Sequence, residues 1–169
     1  MKIHNLWSKA VPAILAVLCL GPPAVFASET TRERWTTQDR IEGVWLANVT
    51  ITNCTTGEAL PFPGAKFDAM GIFGSNGTFH NTDQNNPALR SETFGYWERT
   101  GRYTYRFAFR FFRFDSTGLL TGSQIVRHNV VLSRDGLSYS SSGHVEFYDV
   151  SGIHMLPDGC AKTTATRFK

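Results

Sequence analysis

Two histidines and a pair of cysteines carry most of the chemistry open to this chain. His128 sits in the run Gln124-Ile125-Val126-Arg127-His128-Asn129-Val130. In a strand every second side chain shares a face, so His128 and Gln124 are polar groups on a side otherwise made of Val126, Val130 and Leu132. An imidazole and an amide on an apolar surface suit the end of a pocket, where one or two hydrogen-bonding groups orient an apolar molecule. The competing reading is a core histidine bonded to Ser141 or to a tyrosine, since a buried polar group needs a partner in any case. A single general base in an apolar pocket would also serve an isomerase or cyclase.

His144 and Glu146 alternate on the opposite face, and His-x-Glu on a strand can hold a cation. Two ligands fall short of a four-coordinate set, so a solvated face accounts for them and no metal is expected. Arg106, Arg110 and Arg113 read as an ordinary charged exterior row. Signatures of nucleophilic, metal-dependent and phosphate-binding enzymes are missing: there is no Gly-x-Ser-x-Gly, His-Glu-x-x-His, Cys-x-x-Cys or glycine-rich phosphate loop. No cofactor is called for.

Residues 1–27 have the three parts of an export signal: Lys2 and Lys9, an apolar stretch from Val11 to Leu20, and Val25-Phe26-Ala27 ahead of Ser28. Pro12, Pro22 and Pro23 interrupt the apolar run, which is shorter than the roughly 20 residues that span a bilayer. Cleavage would leave a periplasmic or secreted chain with no membrane insertion. It would also remove Cys19 and leave Cys54 and Cys160, which in an oxidising compartment read as a disulfide. The chain carries 17 Lys and Arg against 14 Asp and Glu, and two of the lysines belong to the leader, so the charge balance points to no nucleic-acid partner.

The elements that would position these groups are strands. Residues 28–41 form a polar arm, and 42–169 form one domain with β-branched and aromatic runs separated by Gly, Asn and Asp. Strands are expected at 43–54, 66–74, 78–83, 92–99, 102–114, 119–134, 137–148 and 160–168. Eight is the count that closes a small barrel, and the short turns between them predict an all-β, antiparallel, up-and-down meander. A two-residue turn at Asp135-Gly136 would set Leu132 against Tyr139, Val130 against Ser141, His128 against Gly143 and Val126 against Val145. In strand 102–114, Tyr103, Tyr105, Phe107, Phe109 and Phe111 share one inward face and form an aromatic wall against which a planar ligand would stack. Phe111-Phe112 breaks the alternation and predicts a bulge that turns Phe112 and Phe114 inward and leaves Arg113 outside. Loops 55–65 and 149–159 should mark the open end.

The first and last strands match in reverse. Laid antiparallel, they put Cys54 opposite Cys160 and Arg167 within two residues of Trp45, so a disulfide and a cation–aromatic contact would close the barrel at its seam. Gly43-x-Trp45 opening the first strand, Arg167 near the end of the last and the meander between them resemble the calycin group, which includes lipocalins and avidin-like proteins. That resemblance implies that Gly43, Trp45 and Arg167 close the bottom of a barrel rather than bind a ligand. The stretch from Phe94 to Phe147 is also similar to short exported bacterial proteins with a lipocalin-like barrel. The expectation is a protein that binds a small apolar or planar molecule through His128, Gln124, Tyr103, Tyr105, Phe107, Phe109 and Tyr139. The alternatives are an interaction module, such as an inhibitor of an exported enzyme, and a pocket isomerase or cyclase.

Overall fold

The computed structural model describes residues 40–169. The expected export signal at 1–27 and nearly all of the arm at 28–41 lie outside the described residues. Eight antiparallel strands follow in chain order: β1 (Gly43–Thr52), β2 (Lys66–Phe73), β3 (Thr78–Asp83), β4 (Phe94–Arg99), β5 (Thr104–Phe114), β6 (Leu120–Leu132), β7 (Ser138–Tyr148) and β8 (His154–Arg167). Each is hydrogen-bonded to the next, and β8 returns to β1, so the sheet is a closed up-and-down barrel as the turn spacing predicts. Closure joins the first and last strands over eight register pairs, which removes the sheet edge along the seam.

Alternation decides which way each strand faces. In β5, Tyr105, Phe107, Phe109 and Phe111 are buried while Thr104, Arg106, Arg110 and Phe112 face solvent. Along β6, Val126, His128, Val130 and Leu132 are buried, with Arg127, Asn129 and Val131 exposed between them. The β6–β7 register is as expected, with His128 opposite Gly143 and Leu132 opposite Tyr139. The turn that sets it is longer than two residues. Ser133 N–H donates to the Ser138 carbonyl at 2.8 Å, so residues 134–137 form the loop, and an even extension of the turn preserves the pairing.

Three local expectations need correction. At the seam Trp45 lies directly opposite Arg167 and Thr52 opposite Cys160, a register two residues from the one expected. Cys54, just past the end of β1, reaches back to form the disulfide with Cys160, with the two Cα atoms 5.2 Å apart. The pairing of β5 with β6 runs regularly through Phe111 and Phe112 and shifts only between Arg113 and Phe114. Phe112 is therefore outside and half-exposed, its N–H bonded to Ser91 Oγ at 2.9 Å, while Arg113 is the partly buried one. Strand β8 begins at His154, six residues early, and reduces the expected 149–159 loop to a turn in which Asp149 Oδ1 accepts from the N–H groups of Ser151 and Ile153.

One end of the barrel is plugged. Trp45 is fully buried, and its Nε1 donates to the Ile41 carbonyl at 2.8 Å. The Arg167 guanidinium lies 4.4 Å from the Trp45 ring centre and donates to the carbonyls of Glu42 (2.6 Å), Arg40 (2.6 Å) and Gly136 (2.8 Å). Gly43 adopts φ 129°, and a Cβ there would stand 2.8 Å from Arg167 Nη1, so both backbone and space call for glycine. Residues 40 and 41, expected to belong to a solvated arm, are part of this plug.

Candidate functional site

Above the plug, aromatic rings fill the lower half of the barrel. Phe73 meets Phe79, Phe107 and Tyr139 at tilted or edge-on angles, with centroids 4.7 to 6.0 Å apart. Higher up β5 the rings of Phe107, Phe109 and Phe111 lie nearly parallel at steps of 6.0 and 6.2 Å, as alternation along one strand requires. The imidazole of His128 stacks on Phe107 at 5.2 Å with 23° between planes.

Beside this wall is an interior cavity of about 90 Å³, lined by His128, Gln124, Phe107, Phe109, Val126 and Tyr139 among others. A funnel of about 360 Å³ at the loop end shares Ile51, Phe67, Phe111, Gln124 and Val145 with it and extends to Phe62, Leu89, Arg113 and Phe147. A depression of about 970 Å³ lies on the outside of the strands, across Leu46, Asn48, Met70, Val131 and Thr164. It is open to solvent and its lining among the described residues holds no histidine, cysteine or arginine, so the smaller interior space is the chemically equipped one.

His128 combines both readings its sequence position allowed. Its Nδ1 is 2.9 Å from Ser141 Oγ, the partner a core histidine needs. Its Nε2 is buried and has no hydrogen-bond partner. Burial pushes the imidazole pKa down to about 4, with the charge of His144 adding to the effect, so the ring is neutral near pH 7. Gly143 makes this placement possible: a Cβ there would sit 2.6 Å from His128 Cδ2 and 1.8 Å from the Arg127 carbonyl oxygen.

The mouth carries a polar cluster that strand periodicity did not reveal. Arg90, in the loop after β3, pairs with Asp83, donates to Asn81 Oδ1 at 3.1 Å and lies over the Phe111 ring at 4.2 Å. Burial lowers the Arg90 pKa, and the carboxylates of Asp83 and Glu92 oppose that shift. Asp83 and Arg90 both line the cavity and the funnel, so the apolar space ends on an ion pair. Arg113 stands beside it, its guanidinium 5.5 Å from the Phe147 ring centre.

The other residues named from sequence are dispersed. Gln124 lines both spaces and Tyr139 lines the cavity from below, packed on Trp45 at 4.9 Å with its hydroxyl pKa raised by burial. Tyr103 and Tyr105 are not among the residues lining either interior space. Tyr105 packs on Trp97 at 5.8 Å and under Arg99, and half-buried Tyr103 lies beside Arg102. Phe111 takes the place they would have had on the wall. Outside, Glu146 accepts from Arg127 Nε at 2.8 Å and from the Tyr148 hydroxyl at 2.8 Å. Burial pushes its carboxyl pKa up, and those two bonds outweigh it to leave the group below its ordinary value.

No protein-family model matches the chain, and no curated protein matches it. Fold and site therefore define the class: a closed eight-stranded antiparallel barrel, plugged at one end by tryptophan and arginine, with a small chemically equipped interior toward the other. That architecture is consistent with the calycin group.

Proposed function

We propose that this is an exported binding protein that holds a small apolar or planar molecule in the barrel interior, with a hydrogen-bonding group of that molecule meeting Nε2 of His128. The carrying observation is the unpartnered Nε2 itself. A buried polar atom without a partner costs about 1–3 kcal/mol, and a ligand group bonded to it removes that cost. A hydroxyl suits this atom best, because it can donate or accept and so fits whichever imidazole tautomer the Ser141 bond selects. Phe107, Phe109 and Phe111 line the same space and offer apolar contact beside it, and Gln124 stands nearer the mouth. The disulfide supports residence in an oxidising compartment.

The low basicity of His128 favours binding over isomerase or cyclase chemistry. General bases work best with a pKa near the operating pH, and about 4 is well below neutrality. Native mass spectrometry of the exported chain should show a co-purified small molecule, and 1-naphthol, a planar apolar alcohol whose rings would extend into the 360 Å³ funnel with the hydroxyl reaching into the 90 Å³ cavity, should bind stoichiometrically by fluorescence titration. His128→Phe should weaken 1-naphthol at least about tenfold, the equivalent of one hydrogen bond of about 1.4 kcal/mol, with the far-ultraviolet spectrum unchanged. A clean apo mass together with no 1-naphthol binding would overturn the reading and leave the interaction module as the better account.

A further inference from the structure

We propose that the seam of the barrel is a latent metal site: once the Cys54–Cys160 disulfide is reduced, the two thiolates and Nδ1 of His144 hold a thiophilic cation of the zinc class. The three ligand atoms already lie within 4.8 Å of one another. His144 is the direct register partner of Cys160 across β7 and β8, with Nδ1 3.6 Å from Cys160 Sγ, and Cys54 arrives from the end of the neighbouring β1. Three adjacent pieces of one closed sheet thus fix the ligands. In a tetrahedral zinc site, bonds of about 2.0–2.3 Å place ligand atoms roughly 3.5–3.8 Å apart. The imidazole is already near that spacing from Cys160. The main adjustment is rotation of the Cys54 side chain, which is exposed and would give up only a weak contact of its sulfur with the Asp158 carbonyl oxygen at 3.7 Å.

Neighbouring groups decide the composition of the site. Glu146, the other half of the His-x-Glu pair, is held by Arg127 and Tyr148, and His154 is bonded to Asp158 at 2.7 Å. Both exposed ligands, Cys54 and His144, face solvent and leave a fourth position for water. Reduction need not open the barrel, because eight register pairs from Trp45–Arg167 to Thr52–Cys160 still join β1 to β8.

The electron balance is that of thiol–disulfide exchange. A thiolate of a dithiol reductant attacks the exposed Cys54 sulfur, and the S–S bond breaks with its electron pair leaving on Cys160 beside His144. The second thiolate of the reductant then displaces Cys54 and closes the reductant's own disulfide. Binding of the cation releases whatever protons the two thiols carry.

The test uses the whole exported chain reduced with a phosphine, which gives two electrons to the disulfide and takes an oxygen from water to become its oxide, and Co²⁺ as a coloured stand-in for zinc. The reduced protein should bind one equivalent of Co²⁺ with thiolate-to-metal charge-transfer absorption and intense tetrahedral visible bands, both bleached by Zn²⁺. The oxidised protein should show neither. His144→Ala should weaken the reduced site at least about tenfold, as loss of one of three protein ligands requires. Zinc should also raise the melting temperature of the reduced wild type, a readout that binding to unfolded thiols would not give. Absence of cobalt–thiolate absorption at one equivalent, unchanged affinity in His144→Ala, or a reduced protein whose melting temperature zinc fails to raise would each overturn the proposal.

Discussion

His128 is held neutral inside the barrel at a cost that depends on pH. In the unfolded chain the imidazole titrates near 6.5, and in the folded one near 4 because burial penalises its charge. Between those values the unfolded state binds the extra proton, so stability is complete above about pH 6.5 and falls as the pH drops toward 4. The full loss is about 3 kcal/mol from the size of the shift. Denaturant midpoints measured across that window should fall for the wild type and flatten for His128→Phe. Asp115 and Asp135, whose carboxylates are held below their ordinary range by side-chain and then backbone hydrogen bonds, act only below about pH 4, and Glu146, held below its ordinary 4.5, adds a loss only at the acid end of the window that His128→Phe retains, so the difference between the two proteins reports His128. Gly143→Ala should destabilise the barrel by about 1–3 kcal/mol in urea unfolding, since its Cβ must displace both the ring and the Arg127 carbonyl. The pairing of His128 with Gly143 and the polar character of Gln124 were legible because a strand period of two is unambiguous on an apolar face. The Arg90–Asp83 pair was not, because it is made by a loop that folds back over the mouth, and no local spacing signals such a return.

At the level of strands, the seam is the element pair that turns a sheet into a container. Arg167 ties β8 to the chain entering β1 by hydrogen bonds to the carbonyls of Arg40 and Glu42 and a cation–aromatic contact with Trp45, and to the β6–β7 turn by a third bond to the Gly136 carbonyl. Hydrogen bonds to a charged group contribute about 1.5–3 kcal/mol each when considered singly, and they share one side chain here, so Arg167→Ala should cost about 3 kcal/mol by chemical denaturation. An unchanged midpoint would show that the plug holds without it. That these two strands meet was legible in the sequence, but the register read from it, with Cys54 opposite Cys160, was off by two residues. The interval from Trp45 to Cys54 is longer than that from Cys160 to Arg167, and only the structure shows that the excess is taken up by Cys54 lying beyond the end of β1. The expected bulge at Phe111-Phe112 failed for a related reason. An exposed phenylalanine violates a hydrophobic pattern but not a ladder, and Ser91 with its hydroxyl on the Phe112 N–H makes the outward position workable.

For the whole molecule, closure comes before contents. The disulfide spans 106 positions, and in the chain-entropy model a loop of that size contributes up to about 4.7 kcal/mol. Replacing both cysteines by serine should lower stability by about 2–4 kcal/mol in urea while the far-ultraviolet spectrum keeps its strand signature, because the β1–β8 ladder remains. Loss of the folded spectrum would mean that the ring depends on the covalent staple. The eight-strand closure could be read from turn chemistry and strand count, whereas the degree of filling could not, since the same aromatic alternation serves a solid core or a lined pocket. The structure places the rings so that the lower half is solid and a small space remains beside one unpartnered imidazole nitrogen. The most direct measurement of that account is the ¹⁵N spectrum of the His128 ring in labelled protein, recorded free and saturated with 1-naphthol. The Nε2 resonance should move on binding while Nδ1, bonded to Ser141, stays nearly in place. An Nε2 signal indifferent to bound 1-naphthol would contradict it.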